Sequence, residues 1–166
     1  MVDANFIITC YHVIASIKNM NQDQIRIRYL QDKTESYASV FRYHKEHDVA
    51  ILHNAKIPST IISLQLGHSS GCEGHRFFTC GFAQMGDFDS LNAEGLLLGE
   101  IKNRKGISYI QLKSQDVSPG MSGGPVFDVE TGLVIGMLTK GFVLKSSEKH
   151  RDTAFATPSE TLKKIF

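Results

Sequence analysis

Short runs rich in β-branched and aromatic residues recur along the chain, separated by clusters of Gly, Asn, Asp and Ser. That rhythm predicts an all-β sandwich or barrel. The runs fall at residues 5–10, 24–30, 36–44, 48–53, 76–82, 95–102, 107–112, 125–128, 133–139 and 153–157. Several alternate cleanly: Ile25, Ile27 and Tyr29 share one face of their strand while Arg26 and Arg28 share the other, so each such strand has a core side and a wet side. Two helical segments interrupt the pattern, a short one at 11–18 and a C-terminal one at 158–166. In the second, Pro158 suits the first turn, and Leu162, Ile165 and Phe166 can share a face. Repeats and low-complexity tracts are absent. The turn-forming stretch 67–74 (GHSSGCEG) divides two strand-rich halves.

At 166 residues the chain suffices for one compact domain, or for two small sub-barrels sharing an interface. A hydrophobic content of 42%, a charged content of 21% and a net charge of +1 leave no basic field to drive nucleic-acid binding. The longest apolar stretches, 6–8 and 132–138, fall far short of the roughly eighteen residues of a membrane-spanning helix. The first residues lack the basic start and cleavage site of a signal peptide, so no targeting segment is expected. Three cysteines, Cys10, Cys72 and Cys80, cannot all pair with one another. They point to a reducing compartment, with a cytoplasmic location as the expectation; the alternative is a single Cys72–Cys80 bridge across a hairpin. Six of the seven histidines, at 44, 47, 53, 68, 75 and 150, read as surface or loop residues.

Candidate chemistry begins at Pro119-Gly120-Met121-Ser122-Gly123-Gly124-Pro125, which leads into the apolar pair Val126-Phe127. A nucleophilic serine needs a tight turn that presents its hydroxyl and aims backbone N–H groups at one point, and glycines make such a turn accessible. Alone, a Gly-x-Ser-Gly segment reads better as a glycine-rich hairpin of no chemical meaning. Two further segments change that balance. His12, in Ile8-Thr9-Cys10-Tyr11-His12-Val13-Ile14, sits where an apolar strand turns into a short helix. Asp48 opens the apolar strand Val49-Ala50-Ile51-Leu52. Histidine, aspartate and serine thus follow one another in order, each at a strand edge of an all-β chain.

These residues resemble the chymotrypsin clan, whose His, Asp, Ser order differs from those of subtilisins and α/β-hydrolases. Segment 132–141 is similar to the clan's substrate-pairing strand, and segment 154–159 to the closing strand and final helix of bacterial HtrA-type proteases. The resemblance covers nearly the whole chain, and its closest match is the compact bacterial trypsin-like peptidase domain. It implies two perpendicular six-stranded Greek-key β-barrels, the first N-terminally incomplete because only eleven residues precede His12. The expected division is 1–67 for the barrel carrying His12 and Asp48, 68–157 for the barrel carrying Ser122, and 158–166 for a helix.

The implied activity is that of a serine endopeptidase acting on polypeptide through a His12, Asp48, Ser122 triad, with Gly120 and Ser122 amides as the oxyanion hole. Asp116, Thr139, Lys140 and Gly141 are the implied substrate-binding residues. Asp116 stands where trypsin places the base of its specificity pocket, although compact bacterial members carry acidic residues there without a basic preference. No cofactor, metal, nucleic acid or membrane is implied. Met121 replaces the aspartate that pairs with a new N-terminus in digestive trypsins, which argues against that kind of zymogen activation. An open first barrel has an unpaired strand edge, so a regulatory domain or partner covering it is a further expectation. Two rivals remain: an inactive protease fold that holds peptides along 138–141, and a metal-dependent protein using Cys72, His75 and Cys80, with or without His68.

Overall fold

The computed structural model describes residues 5–17, 19, 24–54, 56–82, 90–139 and 152–166. Within them lie strands β1 (Phe6–Thr9), β2 (Ile25–Tyr29), β3 (Thr34–His44), β4 (Val49–His53), β5 (Arg76–Gly81), β6 (Leu91–Lys102), β7 (Ser108–Lys113), β8 (Pro125–Asp128), β9 (Leu133–Leu138) and β10 (Thr153–Pro158). Helices α1 (Tyr11–Ile14) and α2 (Ser159–Ile165) complete the set. Among the described residues, no helix is long and apolar enough to cross a membrane.

The strands form two sheets. The first is four-stranded, in the order β1-β4-β3-β2, and open; the second closes as a six-stranded barrel, β10-β7-β6-β5-β8-β9. The expected incompleteness of the first barrel takes the form of a curled sheet in which, among the described residues, β1 and β2 are the edges. β3 serves two partners: its first half pairs with β2 and its second half with β4, and a bulge between Val40 and Arg42 bends it from one to the other. A bulge between Leu97 and Gly99 does the same for β6, which spans from β5 to β7, and Gly99 accepts the φ of +116° there.

Burial follows from period-two alternation. Leu97, Ile110, Leu112, Val126 and Ile135 fill the barrel with Phe77 and Met121. In β4 both faces are covered: Val49 and Ile51 pack with Cys10, Met137 and Leu162 where sheet, barrel and α2 meet, while Ala50 and Leu52 pack with Ile14 and Ala38 inside the curled sheet. That is why 49–52 reads as an unbroken apolar run. The helix α2 is held by Arg42 Nη1, which donates to Ile165 O (3.0 Å), and by Glu160, which accepts from Ser69 N and Oγ (2.8 Å each). Ser159 Oγ and Lys163 Nζ both donate to Gly67 O, so the linker at 67–69 is tied to this helix.

Three boundaries differ from expectation. α1 makes a single turn, with Ala15 as its C-cap, instead of running to Lys18, which lies outside the described residues. β6 starts at Leu91, not Gly95, because Asn92 and Glu94 point outward and only Ala93 is buried, which hides the strand in a hydropathy reading. Pro158 ends β10 in an extended conformation (φ −62°, ψ 148°) and caps α2 instead of entering its first turn. All three cysteines are free thiols, so the structure carries no Cys72–Cys80 bridge.

Candidate active site

β1 ends at Thr9, and the chain turns into α1 because Asp48 collects its first amides. Asp48 O accepts from Tyr11 N (3.1 Å) and Asp48 Oδ1 from His12 N (2.8 Å). Asp48 itself stands in the left-handed region, φ +53°, a conformation that Asp tolerates better than most residues. Its second oxygen, Oδ2, lies 2.6 Å from His12 Nδ1 and accepts from Thr139 Oγ1 at 2.7 Å. An Nδ1–H held by a carboxylate leaves Nε2 as the basic nitrogen of the neutral ring. Both side chains are partly exposed.

Cys10, fully buried, lies behind this pair. Its Sγ donates to Leu138 O at 3.0 Å, and burial followed by the negative charge of Asp48 pushes the thiol up to about 12. It is therefore a neutral donor and not a thiolate nucleophile.

Ser122 occupies a turn built by its neighbours. Gly120 and Gly123 take φ of +98° and +91°. Met121 plugs into the barrel core at 1% exposure, and its N accepts no freedom either, donating to Ser118 O at 3.2 Å. Gly124 and Leu138 exchange the turn for strand pairing: Gly123 N and Cys10 Sγ share Leu138 O, while Leu138 N donates to Gly124 O. Space is as tight as the hydrogen bonding. A Cβ on Gly81 would sit 2.6 Å from Met121 Cα, and one on Gly123 would sit 2.8 Å from Thr9 Oγ1. The serine turn thus abuts the β1–α1 junction from which His12 projects.

The structure joins His12 to Asp48 directly. Among the described residues it shows no hydrogen bond from Ser122 to His12, and the amides of Gly120 and Ser122 donate to no protein acceptor. Thr139, expected as a substrate-binding residue, is buried, and its hydroxyl is spent on Asp48 while its N donates to Phe155 O. Lys140 and Gly141 lie outside the described residues, as does His150. Asp116 is exposed, in a cleft with Arg76, Glu94, Lys113 and Asp152 that none of His12, Asp48 or Ser122 lines. Sequence reasoning missed the Thr139–Asp48 bond, because it spans 91 residues and no local pattern announces it.

The trypsin-like peptidase domain family matches residues 1–137. No curated protein is significantly similar to the chain. Among solved structures, the HtrA-type protease AlgW with tripeptide superposes at a TM-score of 0.76 and 24% identity, covering 97% of this chain and 50% of the other. AlgW with decapeptide gives 0.74 and 23% identity, covering 97% and 47%. The present chain therefore spans about half the length of these structures.

Proposed function

This chain belongs to the trypsin-like peptidase domain family, and from that membership we propose that it is a serine endopeptidase acting through His12, Asp48 and Ser122. Ser122 Oγ attacks the scissile carbonyl while His12 Nε2 takes the hydroxyl proton. The same nitrogen returns the proton to the leaving amine, which departs and leaves an acyl-enzyme on Ser122. Water, deprotonated by His12, then releases the acid. Asp48 keeps the His12 proton on Nδ1 and stabilises the imidazolium that forms in each step. Gly120 and Ser122 amides stabilise the oxyanion, each such donor contributing about 10²–10³ in rate.

The observation that carries this reading is the 2.6 Å contact of His12 Nδ1 with Asp48 Oδ2, braced by Thr139. Polypeptide is the proposed substrate class, since the sequence of 132–141 resembles a substrate-pairing strand, beside which a peptide can lie as an added strand. AlgW is a protease with peptide present in the solved structures above, which agrees with that class.

One observation favours a second reading, a protease fold that binds peptide without cleaving it: the lack of a His12–Ser122 hydrogen bond among the described residues. Catalytic hydrogen bonds in unliganded enzymes are often long and tighten only with substrate, so the first reading stands. A fluorophosphonate probe separates the two. The proposed enzyme is labelled, and Ser122→Ala abolishes both labelling and peptide hydrolysis. Folded protein that takes no label, or label that survives Ser122→Ala, overturns the assignment.

A further inference from the structure

A second constellation of ligating groups lies away from His12, where the linker between the sheets meets the β8–β9 turn. Cys72 Sγ, a His75 ring nitrogen and an Asp128 carboxylate oxygen all fall within 4.8 Å of one another. His75 Nδ1 is 3.1 Å from each oxygen of Asp128 and 3.9 Å from Glu130 Oε2. We propose that Cys72, His75 and Asp128 bind a zinc-class divalent cation, with Glu130 closing the fourth position.

The donor set selects the cation. One sulfur, one imidazole nitrogen and carboxylate oxygens suit Zn²⁺, whereas Ca²⁺ and Mg²⁺ require all-oxygen shells. Zinc–ligand bonds of about 2.0–2.3 Å in a tetrahedron place the donor atoms about 3.3–3.8 Å apart. The Cys72, His75 and Asp128 donor atoms, all within 4.8 Å of one another, stand close to that range, while Glu130, which accepts from Arg76 N, would turn to reach it.

The surroundings are already arranged as a supporting shell. Asp128 is fully buried at the end of β8, where Thr131 Oγ1 (2.7 Å) and Glu130 N (3.2 Å) orient its carboxylate. The Cys72–His75 turn is held by His75 N donating to Cys72 O and by Gly74 N donating to Leu97 O, with Gly71 and Gly74 both at φ +83°. Cys72 is 4% exposed, and its Sγ now donates to His68 O at 3.3 Å. His75 and Glu130 remain partly exposed and leave a way in.

This set differs from the one expected from spacing alone. His68 is turned toward Glu160 (3.5 Å), and Cys80 is exposed on β5 and stands outside the cluster. Asp128, 53 residues from His75, supplies what the Cys-x-x-His spacing lacked.

Binding breaks the Cys72 S–H bond and sends its proton to solvent.

Cobalt is the spectroscopic probe. Full-length protein, stripped with chelator and titrated with Co²⁺ alone, is expected to bind one equivalent with a thiolate-to-cobalt band in the near ultraviolet and intense tetrahedral bands in the visible. Zinc then displaces the cobalt and raises the melting temperature. Cys10→Ala and Cys80→Ser keep the thiolate band, and Cys72→Ala loses it. Should Cys72→Ala not fold, His75→Gln serves instead and weakens cobalt binding at least tenfold. No saturable binding at one equivalent, a cobalt spectrum without the thiolate band, or a band lost in Cys10→Ala and kept in Cys72→Ala each overturns the site.

Discussion

The oxygens of Asp48 gather four hydrogen bonds: its backbone carbonyl holds Tyr11, and its carboxylate holds the amide and ring of His12 and the hydroxyl of Thr139. The left-handed backbone that makes this possible is unusual for a residue other than glycine, and such conformations persist where the surroundings over-determine them. Thr139→Val removes one donor while keeping the shape. A neutral hydrogen bond of this kind contributes about 1 kcal/mol, and one to a charged group about twice that. Peptide hydrolysis by Thr139→Val is expected to fall about tenfold in kcat, with KM little changed, and Thr139→Ser is expected to restore it. A loss of melting temperature with kcat intact would reduce Thr139 to a packing role. The His12–Asp48 pair and the glycine turn around Ser122 were legible because each lies in a short motif at a strand edge. Thr139 and Asp128 were not, because their partners arrive only through tertiary folding.

At the scale of elements, the β3–β4 turn carries Asp48 between two histidines and the buried strand β4. The His44 and His47 rings lie 4.6 Å apart, and His47 Nδ1 is buried without a partner among the described residues. Burial first, and then the charge of His44, lower the His47 pKa below its usual 6.5. The unfolded chain therefore binds a proton more readily than the fold does. His47's contribution to stability is fully present above about 6.5 and is lost as pH falls from there toward the lowered folded value. Thermal melts between pH 7 and 5 should show a falling midpoint, and His47→Gln should flatten that slope; an unchanged slope in the variant rejects the assignment. Alternating hydropathy placed most strands within one or two residues, since one-sided burial leaves a period of two. It failed at the start of β6, where pairing with β5 outweighs local preference, and at the end of α1, which stops at Ala15 after a single turn.

For the whole molecule, the contrast between a closed barrel and an open sheet sets where stability resides. The density of strand-like runs made two strand-rich halves legible; closure of the second depends on β10 returning to β7 and β9. Among the described residues every barrel strand has two neighbours, whereas β1 and β2 have one each. Hydrogen exchange should accordingly be slowest in β5–β10 and faster in β1 and β2, through openings that cost less than global unfolding. Uniform protection across both sheets would show that the two halves open as one.

That inequality reaches the chemistry. The serine turn is anchored through Met121 in the firmer half, while the imidazole hangs from β1, a four-residue edge strand. If His12 and Ser122 act as proposed, gentle warming would unseat the base while the nucleophile keeps its posture, so turnover would fade ahead of any bulk melting signal. Conversely, a segment zipped along the free side of β1 would raise turnover without touching substrate, as a splint steadies a joint.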